Sequence, residues 1–135
     1  MPFSVSWAFW DRKVGPFFDD IGVMNVAALT TDELQTSRHF GDILALEVDD
    51  HDFLYPTFQF GDRGELLPRL RDVVQVLRPS MSDEWDIALW LRTASNRLDG
   101  RSPARLLQLG QAPIAISAAV SAAACWSQAN TMPVT

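Results

Sequence analysis

Apolar residues along this chain recur mostly at helical spacing, and one short stretch alternates instead. Within residues 85–110, Trp85, Ala88 and Leu89 fall on one helical face while Ile87, Trp90 and Leu91 load a second. A helix with two apolar faces needs neighbours on more than one side. Ser102 and Pro103 supply an N-cap and a first-turn proline for a second, short helix, and Gly110 can take the left-handed conformation that ends it. Upstream, Leu67, Leu70, Val74 and Leu77 share a face with Leu66 and Val73 beside it, while Arg69, Arg71, Asp72, Gln75 and Arg78 lie outside. That pattern predicts an amphipathic helix over residues 65–79, and Ser80 with Asp83 can form a capping box for the next one. Beyond Pro113, Ile114, Ala118, Ser121 and Ala122 share one helical face, with Ile116, Ala119, Val120 and Ala123 in neighbouring positions. Alanine at nearly every turn favours helix and permits close approach. Trp126 anchors the end, and residues 128–135 read as a flexible tail.

The front is less regular. Phe3, Trp7, Phe9, Trp10, Phe17 and Phe18 make residues 1–20 aromatic-rich without a clean period. Val5, Trp7 and Phe9 alternate with smaller residues, consistent with a short strand, and the segment as a whole is expected to lie across the core. Residues 20–46 read as short helices, with Thr30 as cap and Glu33 completing a capping box. A helix, a break and a second helix have the outline of a helix-turn-helix, in which Gln35, Thr36 and Arg38 would be the side chains available to reach DNA. Residues 43–60 then read as a β-ribbon, 43–48 pairing with 53–60 around a turn of Asp49, Asp50, His51 and Asp52. Pro56 requires its strand to lie at an edge or to bend. The acidic turn fails as a calcium loop, because glycine is missing at its sixth position and glutamate at its twelfth.

Composition narrows the function classes. The chain's 135 residues, 47% apolar, suit one domain that needs no metal or disulfide to fold. The lone Cys125 sits in the alanine-rich run, where a small buried hydrophobe is expected, and fits a reducing compartment. No signal peptide or run of about 20 apolar residues is present, so the cytoplasm is expected and a membrane is not. Residues 1–60 hold ten acids against three bases, and residues 61–135 hold seven against eight. A front half that acidic repels phosphate, which disfavours DNA and leaves either solubility or a basic protein partner as its use. The glycines form no nucleotide-binding loop, and one Cys with two His does not furnish a zinc site. Carboxylate pairs such as Asp83 with Asp86 fall at helix starts or turns. No enzyme activity and no cofactor are expected.

The arginines of the second half carry more information. Arg92, Arg97, Arg101 and Arg105 surround the loop over 95–103, with Asn96 and Asp99 between them. Guanidiniums placed so can grip carboxylates, phosphates or carbonyls of a partner, unless Asn96 and Asp99 tie the loop internally and the arginines are simply solvated.

One run carries a family likeness. Trp85, Trp90, Leu91, Asn96, Leu98, Asp99, Gly100, Arg101, Ser102, Pro103, Leu106, Leu107 and Gly110 stand at spacings that resemble the Xre/MbcA/ParS-type antitoxin toxin-binding domain of type II toxin–antitoxin systems. Tyr55, Pro56, Thr57, Phe58, Gln59 and Phe60, followed by Gly64, are similar to the segment that precedes this module in many members. The likeness covers about residues 42–127. It implies an all-helical, non-enzymatic module that binds a cognate toxin, usually a RES-domain protein that breaks down NAD. It also implies that the C-terminal helix and tail, here including Trp126 and Met132, approach the toxin's active-site cleft. Members tend to dimerise, and many carry an N-terminal helix-turn-helix that represses their operon.

The expected protein is therefore mainly α. A degenerate helix-turn-helix-like front with a small β-hairpin occupies 1–60, and a helical toxin-binding module occupies 61–135. Its expected role is to neutralise a RES-type toxin by occluding the active site, as a homodimer or a hetero-oligomer with the toxin. The alternatives are a DNA-binding autorepressor of its operon and a non-catalytic dimeric scaffold.

Overall fold

The computed structural model describes residues 7–49, 52–81 and 83–131. Its first part runs α1 (Trp7–Lys13), β1 (Phe17–Phe18), α2 (Asp20–Ala27), α3 (Thr31–Phe40), β2 (Leu46–Asp49) and β3 (Asp52–Pro56). The alternation at Trp7 and Phe9 belongs to a helix and not to a strand; Val5 lies outside the described residues. Burial explains the difference, since Trp10 and Val14 sit one turn apart and both enter the core. Asp19 opens α2 by accepting from the Gly22 amide at 2.8 Å. The expected box opens α3, with the Thr30 amide donating to Glu33 at 2.9 Å and the Glu33 amide to the Thr30 hydroxyl at 3.1 Å. That exchange holds the exposed Glu33 carboxyl below its ordinary range, chiefly through the Thr30 amide.

The ribbon forms, but shorter than expected. β2 and β3 pair antiparallel, Leu46 opposite Leu54 and Glu47 opposite Phe53, with an irregularity before Asp49 pairs with Asp52. Asp50 and His51, the expected turn centre, lie outside the described residues. Ile43, Leu44 and Ala45 are buried yet precede the strand, because the buried Gln59 amide takes over the Leu44 backbone. Gln59 accepts from the Leu44 N–H at 2.7 Å and donates to the Leu44 carbonyl at 2.9 Å and to that of Pro56 at 3.1 Å. β3 stops at Pro56 and bends into a 3₁₀ turn, Thr57–Gln59. It is the central strand and not an edge, since β1 pairs on its other side, Phe17 opposite Pro56. The front thus places a helix, a short strand and a helix pair ahead of a hairpin, with sheet order β1-β3-β2.

The second part is helical: α4 (Leu70–Leu77), α5 (Glu84–Arg92), a 3₁₀ turn at Asn96–Leu98, α6 (Pro103–Gln108) and α7 (Ala112–Thr131). α4 starts later than its apolar spacing suggested. Leu66 bridges to Phe60, Leu67 donates to the Gln59 carbonyl at 2.9 Å, and Arg69 is left-handed at φ 63°, so the backbone turns helical only from Leu70. α5 is capped by Asp83, which accepts from the Trp85 amide at 2.9 Å, and not by Ser80, whose amide closes the turn after α4 on the Leu77 carbonyl at 3.0 Å. α7 runs to Thr131, through residues expected to be tail.

α4 and α6 pack on α7, and α5 packs on α6 and β2. The larger core cluster includes Trp10, Val14, Leu44 and Leu46 together with Leu70, Val74, Trp85, Leu91, Leu107, Ala115 and Ala119. Trp85 is central to it: the ring is edge-on to Trp10 at 4.9 Å, and its indole N–H donates to the Glu47 carbonyl of β2 at 3.0 Å. A smaller cluster of Val23, Leu34, Ile43, Ala45 and Tyr55 holds the helix pair on the hairpin. The protein is mainly helical with a small antiparallel sheet, as its patterning indicated. Among the described residues, no helix is long and apolar enough to cross a membrane.

Candidate partner-binding site

Two surfaces carry the residues singled out by the sequence, and they differ in how those residues are engaged. On the front, Gln35 and Thr36 are exposed on α3, whereas the Arg38 guanidinium is tied inward. It donates to the Tyr55 hydroxyl at 2.7 Å, lies 3.8 Å from the Asp20 carboxylate and covers the Phe53 ring at 4.4 Å. Tyr55 in turn donates to Asp20 at 2.5 Å. Burial and that carboxylate push the phenol far above its ordinary value, so it stays a neutral donor. The same triad locks α2, α3 and β3 together. Asp32, Glu33, Glu47 and Asp52 are exposed on α3 and the hairpin.

The C-terminal end of α3 is held by α4 and α5. Arg78 donates to the carbonyls of His39 at 2.6 Å and Arg38 at 2.8 Å, and pairs with Glu84 at 2.7 Å. Gln75 donates to the Phe40 carbonyl at 3.0 Å. These donors satisfy carbonyls that a helix end leaves unpaired. Burial pushes the Glu84 carboxyl up although Arg78 pulls it down.

The motif loop between α5 and α6 is built for rigidity. Ser95 and Arg101 bridge across it, the Gly100 amide reaches the Ser95 carbonyl at 2.9 Å, and the Arg101 amide reaches that of Leu98 at 3.1 Å. Asp99 at φ 56° and Gly100 at φ 77° are both left-handed, the requirement that selects an Asp-Gly pair in such a tight turn. Ser95 accepts from the Arg97 amide and Ser102 from the Arg105 amide, each at 3.2 Å, while Pro103 occupies the first turn of α6. Leu106 and Leu107 are buried beneath, and Gly110 at φ 76° ends the run. The loop thus closes through its backbone and two serines; Asn96 is exposed.

Around this loop the arginines reach outward. Arg92 lies over the Phe58 ring at 5.2 Å, and Arg105 donates to Gln108 at 3.2 Å. Arg97 and Arg101 are exposed and make no ion pair among the described residues. Beside them an open groove of about 630 Å³ runs between the loop and α7, lined by Trp90, Thr93, Ser95, Arg97, Leu98, Pro103, Pro113, Ile114, Ser117, Ala118, Ser121, Ala122 and Cys125. A second hollow of about 440 Å³ continues it toward Met81, Asp86, Leu89 and Trp126, sharing Trp90, Thr93, Ala122 and Cys125.

Cys125 is therefore exposed in the groove and not a buried hydrophobe. The buried stripe of α7 is Ala112, Ala115 and Ala119, facing α4 and α6, and Cys125 falls on the helix flank beside it. Ile114 (50% exposed), Val120 (55%) and Trp126 (39%) stand out from the same helix. Met132 lies outside the described residues. Sequence reasoning missed the groove itself, because an almost wholly apolar helix carries no sign of which side is covered. The one available signal was alanine at 115 and 119, spaced for close packing against a neighbour.

Among the described residues, no group of three or more His, Cys, Asp or Glu side chains could hold a metal ion. Neither a protein-family model nor a curated protein matches the sequence. The fold, however, has a solved counterpart. The NMR structure of Rv2175c superposes with a TM-score of 0.67 over 81% of this chain and 82% of that one, at 19% identity. Two chains sharing so little sequence and so much backbone share a fold.

Proposed function

We propose that this chain is a non-enzymatic, antitoxin-like protein that binds a RES-domain toxin through α7 and the arginine-flanked loop and so occludes the toxin's active site. The observation that carries this reading is the open apolar groove along α7, bordered by Arg97, on a helix with no ionised side chain from Ala112 to Thr131. An apolar hollow with a few polar groups on its rim is the kind of surface at which ligands and partners dock. The residues of the family likeness support it, since Trp90, Leu98 and Pro103 line the groove while Asp99, Gly100 and Ser102 hold the loop beside it. Contacts from Arg92, Asn96, Arg101, Arg105, Trp126 and Met132 would surround the same surface. The cytoplasm, where such toxins act, is the proposed location. Co-expression with a RES-domain toxin encoded in the same operon is the test. Rescued growth and co-purification of the two chains are expected; continued toxicity with no co-purification contradicts the proposal.

A second reading, operator binding, is favoured by one observation, the pair of short helices α2 and α3 set ahead of a hairpin. Its surface opposes it. A recognition helix needs cations for phosphates and donors for bases, yet Arg38 is engaged with Tyr55, Asp20 and Phe53 and the exposed neighbours include Asp32 and Glu33. A salt-sensitive anisotropy change with the promoter fragment would support operator binding.

A further inference from the structure

We infer that the partner element seated in the α7 groove is an amphipathic helix carrying a carboxylate beside its apolar stripe. This rests on the partner-binding reading above and adds the chemistry of what is bound. The groove follows α7 from Ile114 to Trp126, about 18 Å of helix, which matches some three turns of a second helix lying alongside. Its deepest residues are the half-buried Trp90, Leu98, Ala118 and Ala122 and the buried Pro103. Small side chains on α7 let another helix axis come within 8–10 Å, the usual packing distance. No strand lines the groove, so an extended peptide finds no backbone ladder to join. Small-molecule sites enclose most of their ligand, whereas here Thr93, Arg97, Ile114, Ser117 and Ser121 are all exposed on the rim.

Charge selects the partner. Arg97 is the one ionised side chain lining the main groove, while Asp86 lines its continuation at the Trp126 end. The partner's carboxylate therefore belongs at the Arg97 end, where Arg97 makes no ion pair among the described residues. A partner helix with Glu or Asp next to its leucines gains a charge-assisted hydrogen bond there, and one with Lys meets repulsion.

Two synthetic helical peptides of about 15 residues, with identical leucine stripes and either Glu or Lys at the flanking positions, test this by fluorescence anisotropy against the full chain. The Glu peptide is expected to bind about tenfold more tightly or better, and Arg97→Glu to abolish or invert that preference. Ala118→Trp, which fills the groove, should lower Glu-peptide affinity by a similar factor with the far-UV circular dichroism unchanged. Equal affinities, or a preference that survives Arg97→Glu, overturn the inference. So does a concentration-dependent dimer that Ala118→Trp dissociates, because a second copy would then be the occupant. If the peptides bind alike while Ala118→Trp still blocks capture of the RES toxin, the inference fails and the proposed function stands. If the Glu peptide is preferred but the toxin is ignored, the toxin assignment fails and the groove's chemistry stands.

Discussion

The outer faces of α3 and α7 show how two helices in one small protein can be prepared for different ends. α3 is polar and acidic outside, and its one arginine is fastened to Tyr55, Asp20 and Phe53. Its C-terminal carbonyls are taken by Arg78 and Gln75. α7 bears no charge, covers one alanine stripe, and leaves Ile114, Val120 and Trp126 exposed, Ile114 and Trp126 along the groove. α3 is bound up in the fold's own interactions, while α7 leaves apolar surface exposed.

The most damaging change to either face should be one that separates the two parts. Trp85→Ala removes the ring that meets Trp10 and Glu47, and should cost about 3–5 kcal/mol in urea unfolding; a loss under about 1 kcal/mol would show that front and back do not share a core. Gln59→Leu keeps the volume but strands both polar groups of Leu44, a cost of about 2–4 kcal/mol. Thr30→Ala loosens only the start of α3 and should cost about 1 kcal/mol, measured the same way. If α7 is a binding face, Ile114→Ser should change stability by less than about 0.5 kcal/mol while weakening toxin capture.

A pH series sharpens the join between the faces. Glu84 is half-buried at the α3 clasp, and that desolvation holds its folded carboxyl above the ordinary value of 4.5. From that ordinary value up to the raised one, the native state holds a proton that the unfolded chain has lost, so this group's contribution to stability falls as pH rises through the window. Glu84→Gln should flatten that part of the stability–pH curve, read as Tm from circular dichroism. An unchanged slope would place the clasp's titration elsewhere.

Much of this fold was legible because local chemistry and tertiary burial agree. Thr30 with Glu33, Ser102 with Pro103, Asp99 with Gly100, and Gly110 mark turns and helix ends by their own backbone preferences. The departures occur where distant groups intervene. Gln59 reaches 15 residues back to hold Leu44 out of the ladder, and Phe60 bridges to Leu66 and delays α4. Trp7 and Phe9 alternate like a strand, but the i,i+4 pair Trp10 and Val14 finds a core that only the folded chain supplies. For the candidate site, the loop was readable and the groove was not, since α7 offers no polar face to contrast with a buried one.

Hydrogen–deuterium exchange on the chain with and without its RES-domain toxin addresses the central claim most directly. Protection confined to residues 93–101 and 112–126, with α3 exchanging as in the free protein, is the expected result. Protection of α3 and the hairpin with none along α7 would contradict it.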